Sequence, residues 1–384
     1  MSELKLIAKT FAGLEDIVAR EVREAGGKKI KIKRRAVSFE GDLEVMYRMN
    51  FSSRCALAVL MEVKQFYANS ADDLYRKTRD INWSNHMMLD QTFSIHATTY
   101  SEVFSHSKFA ALKVKDAIAD FFRDIYGQRP NVRVDHPDVR IELHISDNRC
   151  TLLLNSSGEA LFKRGYRERT GKAPMNECLA AGIVQLSEYR SSEPLVDFAC
   201  GSGTILFEAC LIAKNVAPGL LGRRYGFENW LGFQSKLLEQ IKSDAQNAIQ
   251  SVSVNLKGYD IDRKMILFCR HNKSNSAFFE DIRFYQSDLR NVETEKESGL
   301  IISNLPFDER LKVGNLNRLY EDIGTTMKHH FPGFRGYLFS SNIEALKCIG
   351  LKPTLKMQLF SGGIKASLRR YDLYKGSKRP NKSK

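Results

Sequence analysis

The chain has 384 residues, a formal net charge of +14 and a pI of about 9.4, and 43% of its residues are hydrophobic. This length predicts two or three domains, and the hydrophobic fraction excludes a disordered chain. No apolar run approaches the roughly 20 residues that a membrane-spanning helix needs. We therefore expect a globular protein with no membrane association.

The cysteines and histidines exclude further classes. The seven cysteines are scattered without a CxxC pair, and the eight histidines show no HExxH spacing. These patterns argue against a disulfide framework and a zinc site, so we expect reduced thiols and no metal. The N-terminal residues also lack the long apolar core of a secretory signal. Together these features predict a cytoplasmic protein.

The N-terminal part of the chain predicts a mixed α+β region. Strands are expected at 4–9, 30–39, 55–66, 91–98, 139–145 and 150–154, and helices at 14–25, 42–50, 70–79 and about 107–125. The strands alternate between apolar and polar residues, which is typical of a sheet with one solvated face.

The pattern changes near residue 157. Residues 157–174 are rich in glycine and arginine and form a connector into a helix expected at 175–190. Strands are then expected at 194–199, 256–259, 282–286, 299–303, 335–340, 353–360 and 367–374. Because helical patterns separate most of these strands, we expect a mostly parallel sheet with helices on both faces.

The positive charge is concentrated in two segments, residues 28–35 (KKIKIKRR) and 375–384 (KGSKRPNKSK). A solvated strand face and a disordered tail would explain either segment alone. Combined with the net charge, they favour a nucleic-acid partner, because neutralising phosphates requires many such side chains. The candidate RNA contacts in the first segment are Lys28, Lys29, Lys31, Lys33, Arg34 and Arg35.

A glycine turn follows the first strand of the second region, in the segment LVDFACGSGTILFEACLIA (195–213). It lacks the Gly-Lys-Ser/Thr ending of a P-loop, and Leu206 stands where a dinucleotide fingerprint needs Gly or Ala. A GxG turn with an acid four residues earlier remains, which is the arrangement of S-adenosylmethionine sites. The candidate cofactor residues here are Asp197, Ala199, Gly201, Gly203 and Thr204.

Two more acids follow the next two strands. Asp260 lies in GYDID (258–262), where it can accept hydrogen bonds from ribose hydroxyls, and Asp288 lies in YQSDL (285–289), where it can accept the adenine amine. Each could instead be a helix N-cap. Three acids at three successive strand ends favour S-adenosylmethionine binding, with Ile261 and Leu289 as neighbouring contacts.

Several segments resemble a known family. The strings DFACGSGT (197–204) and SNLPF (303–307) resemble class I methyltransferases that alkylate exocyclic amines, whose fourth motif is [DNS]-P-P-[YF]. LFKRGYRERTGKAPMNECLAAGI (161–183) resembles the junction of THUMP-domain guanine-N2 RNA methyltransferases of the RlmL/RlmK type. The opening segment KTFAGLEDIVAREVREAGG, HSKFAALKVKDAIADFF (106–122) and APGLLGRRYGFENW (217–230) resemble further parts of that family.

The resemblance implies an architecture. It implies an α/β fold, with a Rossmann-like class I methyltransferase domain built on a seven-stranded, mostly parallel sheet and preceded by a ferredoxin-like and THUMP region. We expect a ferredoxin-like domain at 1–55, a THUMP RNA-binding domain at 56–158 and the methyltransferase domain at 159–384. The implied cofactor is S-adenosyl-L-methionine.

The resemblance also implies roles for the loop after the fourth strand. Asn304 would accept a hydrogen bond from the target amine and would also contact the cofactor. Pro306 would stiffen the loop, and Phe307 would stack on the flipped base. The carbonyl of Leu305 or Pro306 would be the second acceptor. The family string is NPPYGER, so Leu305 replaces a proline, Phe307 a tyrosine and Asp308 a glycine. Orientation would then supply the catalysis without a dedicated base.

Further RNA contacts follow from the resemblance. They are Lys108, Lys113, Arg164, Arg167 and Arg169. We favour guanine-N2 methylation of 23S rRNA, free or in a pre-ribosomal particle, over methylation of tRNA. Two alternatives stay open: an adenine-N6 methyltransferase acting on DNA, which shares the fourth motif, and a non-catalytic ribosome-assembly factor with an altered loop.

Overall fold

The structure is a computed structural model that describes residues 3–171, 174–306 and 313–374. These residues form two compact units. The first unit contains the described residues of Met1–Thr10, Val18–Lys163 and Gly222–Asp244. The second contains those of Phe11–Ile17, Arg164–Leu221 and Ala245–Lys384.

The first unit is built on a seven-stranded sheet with the order β2-β3-β1-β4-β7-β6-β5. Its strands are β1 (Leu4–Lys9), β2 (Lys28–Lys33), β3 (Ala36–Gly41), β4 (Ala58–Tyr67), β5 (Phe93–Tyr100), β6 (Val139–Ser146) and β7 (Arg149–Asn155). All neighbouring strands are antiparallel except β5 and β6. Because β4 pairs with both β1 and β7, the sheet continues across the domain boundary expected at 55/56.

One strand prediction was wrong. The expected strand at 30–39 is a hairpin of β2 and β3, which turns at Arg34 and Arg35. Arg35 adopts the left-handed backbone conformation, with φ of 60°. Apolar residues alternate on both sides of the turn, at Ile30 and Ile32 and at Val37 and Phe39, but neither glycine nor asparagine marks the turn itself, so the sequence lacked the usual signal.

The helices of the N-terminal part are α1 (Glu15–Glu24), α2 (Leu43–Ser52), α3 (Ala71–Arg79) and α4 (Ser107–Tyr126). They lie close to the predicted positions. In α4, Ala110, Val114, Ile118 and Phe122 recur at helical spacing and enter a buried core with inward-facing residues of the sheet. The helix ends at Gly127, whose φ of 73° is readily adopted only by glycine.

The segment Gly222–Asp244 belongs to the first unit although its neighbours in sequence belong to the second. Tyr47, Phe227 and Tyr225 form a continuous stack there, with ring centroids 4.1 and 5.1 Å apart. Arg223 donates hydrogen bonds to the carbonyls of Ser157, Glu159 and Ala160. Aromatic stacking and these backbone contacts hold the segment in place.

The second unit is built on a seven-stranded sheet with the order β10-β9-β8-β11-β12-β14-β13. Its strands are β8 (Leu195–Asp197), β9 (Leu256–Asp260), β10 (Ile282–Gln286), β11 (Gly299–Asn304), β12 (Phe334–Ser340), β13 (Leu355–Ser361) and β14 (Ile364–Asp372). Only β14 runs against the others. The mostly parallel sheet predicted from the sequence is confirmed.

The helices of the C-terminal part are α5 (Glu177–Leu186), α6 (Thr204–Ala213), α7 (Ser235–Asn247), α8 (Arg263–Ser274) and α9 (Val313–His330). Asn176 caps α5 by accepting a hydrogen bond from the amide of Cys178. One face of α9 packs into a core with β11 and β12. None of the helices in the described part of the chain combines the length and apolarity needed to cross a bilayer.

Gly324 in α9 offers a test of this packing. A Cβ atom there would lie 1.8 Å from the carbonyl oxygen of Ile349. Alanine gains about 1 kcal/mol over glycine inside a helix, but a collision with backbone outweighs this gain. We expect Gly324→Ala to lower the free energy of unfolding by about 1–3 kcal/mol, measured by chemical denaturation. Gly363→Ala is the control, because a Cβ there meets no atom within 4 Å in the part of the chain that the structure describes. Equal stability of both variants would contradict the packing.

Candidate active site

Ser303 joins the ends of the two central strands of the second unit. Its hydroxyl donates to Asp197 Oδ1 at 2.8 Å and accepts the backbone N–H of Phe198 at 2.8 Å. Both Ser303 and Asp197 are buried. Because Asp197 ends β8 and Ser303 is next to last in β11, these bonds fix the two following loops relative to each other.

Burial raises the pKa of Asp197 to about 7. The hydrogen bonds from Ser303 and from the N–H of Ala199 lower it, but by less, and the charge of Asp260 raises it further. A carboxyl group in this state gains a full negative charge readily when a cation binds beside it. Asp197 is therefore suited to hold a positively charged ligand group.

The glycine turn brings bare backbone to the same place. Gly201 and Gly203 have φ of 51° and 86°, and α6 begins directly after them. A Cβ at Gly201 would meet no atom of the described residues within 4 Å, so this part of the turn borders a cavity. Gly203 instead faces inward, where a Cβ would lie 2.9 Å from the Phe207 ring.

Asp260 and Asp288 lie at the carboxyl ends of β9 and β10. Asp260 accepts the N–H of Gly201 at 2.9 Å and that of Asp262 at 2.9 Å, and burial raises its pKa. Asp288 binds the backbone N–H and guanidinium of Arg290, which lower its pKa. Asp288 therefore caps the short turn Leu289–Asn291, so the N-cap role considered above applies to it. The cap of α8 is Asp262 and not Asp260.

Two cavities meet at these loops. The larger, of about 1250 Å³, is lined among others by Asp260, Ile261, Asp288, Leu289, Asn304 and Pro306. The smaller, of about 230 Å³, is lined among others by Met175, Asp197, Thr204 and Asn304. Ala199, Gly201 and Asn304 line both. The structure thus brings together all described cofactor residues predicted from the sequence except Gly203, which lines neither cavity.

Asn304, the last residue of β11, has a buried side-chain oxygen. Its Oδ1 has no hydrogen-bond partner within the described residues. Buried polar atoms are nearly always paired, so such an atom in a cavity wall points to a missing ligand. Asn304 therefore presents an open acceptor where the two cavities meet.

The following residues hold the loop. Leu305 is fully buried, and its N–H donates to the carbonyl of Phe339 at 2.9 Å. A proline at this position could not make that bond. The carbonyl of Pro306 accepts the Tyr320 hydroxyl at 3.1 Å. The replacement of the family's first proline by Leu305 therefore adds an anchor, while Phe307 and Asp308 lie outside the described residues.

The prediction that Arg164 contacts RNA was wrong. Arg164 is only 2% exposed and pairs with the buried Glu208 at 3.4 Å. Arg167 is also largely enclosed, since it binds Glu177 at 2.9 Å and donates to Thr204 Oγ1 at 2.9 Å. Arg169 is exposed. Two of these three connector arginines thus form ion pairs with buried acids, and one is a surface cation.

The other predicted RNA contacts lie in the first unit. On the β2–β3 hairpin, Lys28, Lys31, Lys33, Arg34 and Arg35 are exposed, and Lys29 pairs with Glu3 and Glu40. On α4, Lys108 is exposed, while Lys113 lies 3.6 Å from Asp72. The basic C-terminal segment 375–384 lies outside the described residues. Within them, no cluster of His, Cys, Asp and Glu could hold a metal ion.

Two residues that organise the site were not singled out from the sequence. Ser303 could have been found, because a buried serine at the end of an apolar strand needs a partner. Tyr320, whose hydroxyl also pairs with Ser340 Oγ at 2.7 Å, carries no such signal. Its position in α9 resembles that of any apolar core residue.

Three family models match successive parts of the chain. The family model described as RMKL-like, methyltransferase domain, matches residues 164–370. A THUMP domain matches residues 68–155, and an RlmL ferredoxin-like domain matches residues 5–60. The three matches thus follow one another along the chain from residue 5 to residue 370.

Relatives and solved structures extend this likeness. Ribosomal RNA large subunit methyltransferase K/L of Syntrophotalea carbinolica is 34% identical over 96% of this chain and 54% of its own length. The putative RNA methyltransferase slr0064 of Synechocystis is 35% identical over 96% of both chains. The chain therefore spans about half the length of the K/L relatives and nearly the full length of the second.

Among solved structures, SMU.472, a putative methyltransferase complexed with SAH, has a TM-score of 0.89 at 25% identity and covers 98% of this chain and 100% of its own. A structure described as a predicted N6-adenine-specific DNA methylase, from Listeria monocytogenes, has a TM-score of 0.88 at 30% identity and covers 97% of both chains. The class I methyltransferase fold is thereby confirmed. The chain belongs to the family of RMKL-like methyltransferases whose methyltransferase domain follows ferredoxin-like and THUMP domains.

Proposed function

We propose that this chain transfers a methyl group from S-adenosylmethionine to the exocyclic N2 amine of a guanine in 23S ribosomal RNA. The observation that carries this proposal is that the buried acceptor Asn304 Oδ1, where the two cavities meet, has no hydrogen-bond partner within the described residues. The names of the Syntrophotalea and Synechocystis relatives, a ribosomal RNA methyltransferase and a putative RNA methyltransferase, support RNA as the substrate.

The residues around the cavities fit the proposed cofactor. When bound, S-adenosylmethionine would supply an electrophilic methyl group. We assign its amino-acid end to the small cavity, where Asp197 would hold the ammonium group and Thr204 lies nearby. We assign its adenosine to the large cavity, where Asp260 would accept the ribose hydroxyls and Asp288 the adenine amine. Ile261 lines this cavity and is 69% exposed to solvent, so its apolar side chain would cover a purine face.

Asn304 would activate the target amine by orientation. The lone pair of a guanine amine is delocalised into the base, so the amine is a weak nucleophile. If Asn304 Oδ1 and the carbonyl of Leu305 or Pro306 accept its two N–H groups, the lone pair is aimed at the methyl group. The Pro306 carbonyl already accepts the Tyr320 hydroxyl, which leaves one of its lone pairs for this role. Fixed dipoles in a dry pocket then supply much of the rate enhancement.

The RNA contacts complete the proposal. Phe307 would stack on the base once it leaves the RNA helix. The exposed cations of the first unit, which include Lys108, would bind phosphates together with Arg169 of the second unit, while Arg164 takes no part. We propose residues 1–55, 56–158 and 159–384 as the ferredoxin-like, THUMP and methyltransferase domains.

A nucleoside analysis tests the proposal and separates its alternatives. The purified chain is incubated with tritiated S-adenosylmethionine and unmodified 23S rRNA, tRNA or DNA, and the labelled nucleosides are identified. We expect N2-methylguanosine from 23S rRNA. Label in DNA adenine alone would favour the activity named for the Listeria structure, and label in tRNA alone would shift the substrate. RNA binding without any label would favour a non-catalytic assembly factor.

The Asn304→Ala variant tests the acceptor role. The variant loses the oxygen that orients the amine, so we expect turnover to fall by about 100-fold or more, while affinity for S-adenosylhomocysteine changes only a few-fold. Single-turnover methylation and calorimetric titration measure the two effects. Asn247→Ala, an exposed position at the end of α7, is the matched control. Normal turnover in Asn304→Ala would refute the assignment.

The raised pKa of Asp197 predicts that cofactor binding depends on pH. The pKa of Asp197 is raised from 3.8 to about 7. Between these two pH values the folded, ligand-free chain keeps a proton that the unfolded chain releases. The contribution of Asp197 to folding stability therefore falls as the pH rises from about 4 to about 7. A cationic ligand group prefers the ionised form. Affinity for S-adenosylhomocysteine should therefore rise about tenfold between about pH 6 and pH 8.

Calorimetric titrations across this pH range check the prediction. Asp197→Asn should abolish the rise. Glu177→Gln is the control, because Glu177 also has a pKa raised to about 7 by burial but lines neither cavity. A rise that persists in Asp197→Asn would assign it to another group.

A further inference from the structure

The sheet of the first unit has one face that no described core cluster covers fully. Along β5 and β6, Phe93, Ile141 and Leu143 point into the helical core. The alternate residues His96, Tyr100 and His144 are exposed. Because side chains of a strand alternate between the two faces, these residues share the opposite, solvated face, here called the open face.

One row of the open face carries two exposed tyrosines. In the strand register, Tyr67 of β4 pairs with Arg149 of β7, Arg149 pairs with Ser146 of β6, and Ser146 pairs with Tyr100 of β5. Tyr67 is 59% exposed and Tyr100 is 68% exposed. Three strand spacings separate them, about 14 Å. The row therefore presents two aromatic rings with a cation and a small residue between them.

Positive charge surrounds this row. Partial burial lowers the pKa of His144, and the charges of Lys9, Arg149 and Lys33 lower it further. Lys9 of β1 forms an ion pair with Glu142 of β6 although β4 and β7 lie between these strands, so the sheet curves here. The Tyr100 ring lies 6.0 Å from that of His144. The open face is thus concave, with cations around an exposed aromatic ring.

Two of these cations are available to a ligand. Lys9 forms an ion pair with Glu142. Burial alone would raise the pKa of Glu142, but its contacts with His96 and Lys9 lower this pKa to about 2. Lys33 and Arg149 are exposed and have no ion-pair partner within the described residues. Exposed single tyrosines are common on protein surfaces and need no explanation. Two exposed tyrosines in one row with Arg149 between them are a combination that suits a specific ligand.

We propose that the open face binds unpaired RNA bases, which stack on Tyr67 and Tyr100 while Arg149 binds an intervening phosphate. Aromatic rings interleaved with cations are the chemistry of single-strand recognition, because every unpaired base offers a flat face and every nucleotide a charge. A duplex offers phosphates but no free base faces. The inference rests on the proposed function for the identity of the partner as RNA.

Binding of fluorescent oligouridylate and of a short RNA duplex to the full chain tests this surface. Stacking on one aromatic ring strengthens binding by about tenfold or more, so Tyr67→Ala and Tyr100→Ala should each weaken oligouridylate binding by about that factor. Tyr67→Phe and Tyr100→Phe should retain binding, because phenylalanine keeps the stacking face. Tyr374→Ala, an exposed tyrosine of the second unit, is the matched control.

The duplex and the salt dependence distinguish stacking from charge. The tyrosine variants should leave duplex binding nearly unchanged, whereas Arg149→Ala should weaken binding of both probes and flatten its salt dependence. Unchanged oligouridylate affinity in the double variant Tyr67→Ala/Tyr100→Ala would overturn the proposal. An equal loss for the duplex or for Tyr374→Ala would overturn it as well.

Methyl transfer measured on the same preparations separates this inference from the proposed function. A chain that methylates RNA but binds oligouridylate independently of both tyrosines contradicts the open-face proposal alone. A chain that binds oligouridylate through the tyrosines but labels no RNA contradicts the proposed function alone.

Discussion

The hydrogen bonds of Ser303 are the constraint on which the active site depends. They hold Asp197 at the end of β8 against the end of β11, so the two loops that follow are fixed by one buried side chain. One loop carries the glycine turn, and the other carries Asn304 and Pro306. A methyl donor and an acceptor amine must meet in a narrow geometry, and parallel strands that end side by side provide it. The proposed chemistry therefore follows from the order of the strands.

Most secondary structure could be predicted because hydrophobic periodicity reports which side of an element is buried. The regular patterns of β11 and α4 are examples, and both lie where the sequence placed them. The β2–β3 hairpin could not be predicted, since neither glycine nor asparagine marks its turn at Arg34 and Arg35. The pairing of β4 with both β1 and β7, and the inclusion of Gly222–Asp244 in the first unit, could not be predicted either. They depend on contacts between residues distant in sequence.

The candidate site divides in the same way. Asp197, Asp260 and Asp288 could be placed together because acids at successive strand ends converge at one edge of a parallel sheet. The sequence could not show that Arg164 lies inside the protein, because an arginine next to glycine in a connector resembles a surface cation until its partner Glu208 is located. Nor could it show that Leu305 anchors the loop through Phe339. The departure from the family motif at Leu305 is thus compatible with an ordered site.

The most direct test of the account is the position of the target base relative to Asn304. A crystal structure of the chain with S-adenosylhomocysteine and a guanine-containing RNA substrate would show it. The account predicts that the guanine N2 atom lies about 3 Å from Asn304 Oδ1, with Asp197 beside the amino-acid end of the cofactor. A guanine amine bound elsewhere, with Asn304 Oδ1 paired to a protein donor, would contradict it.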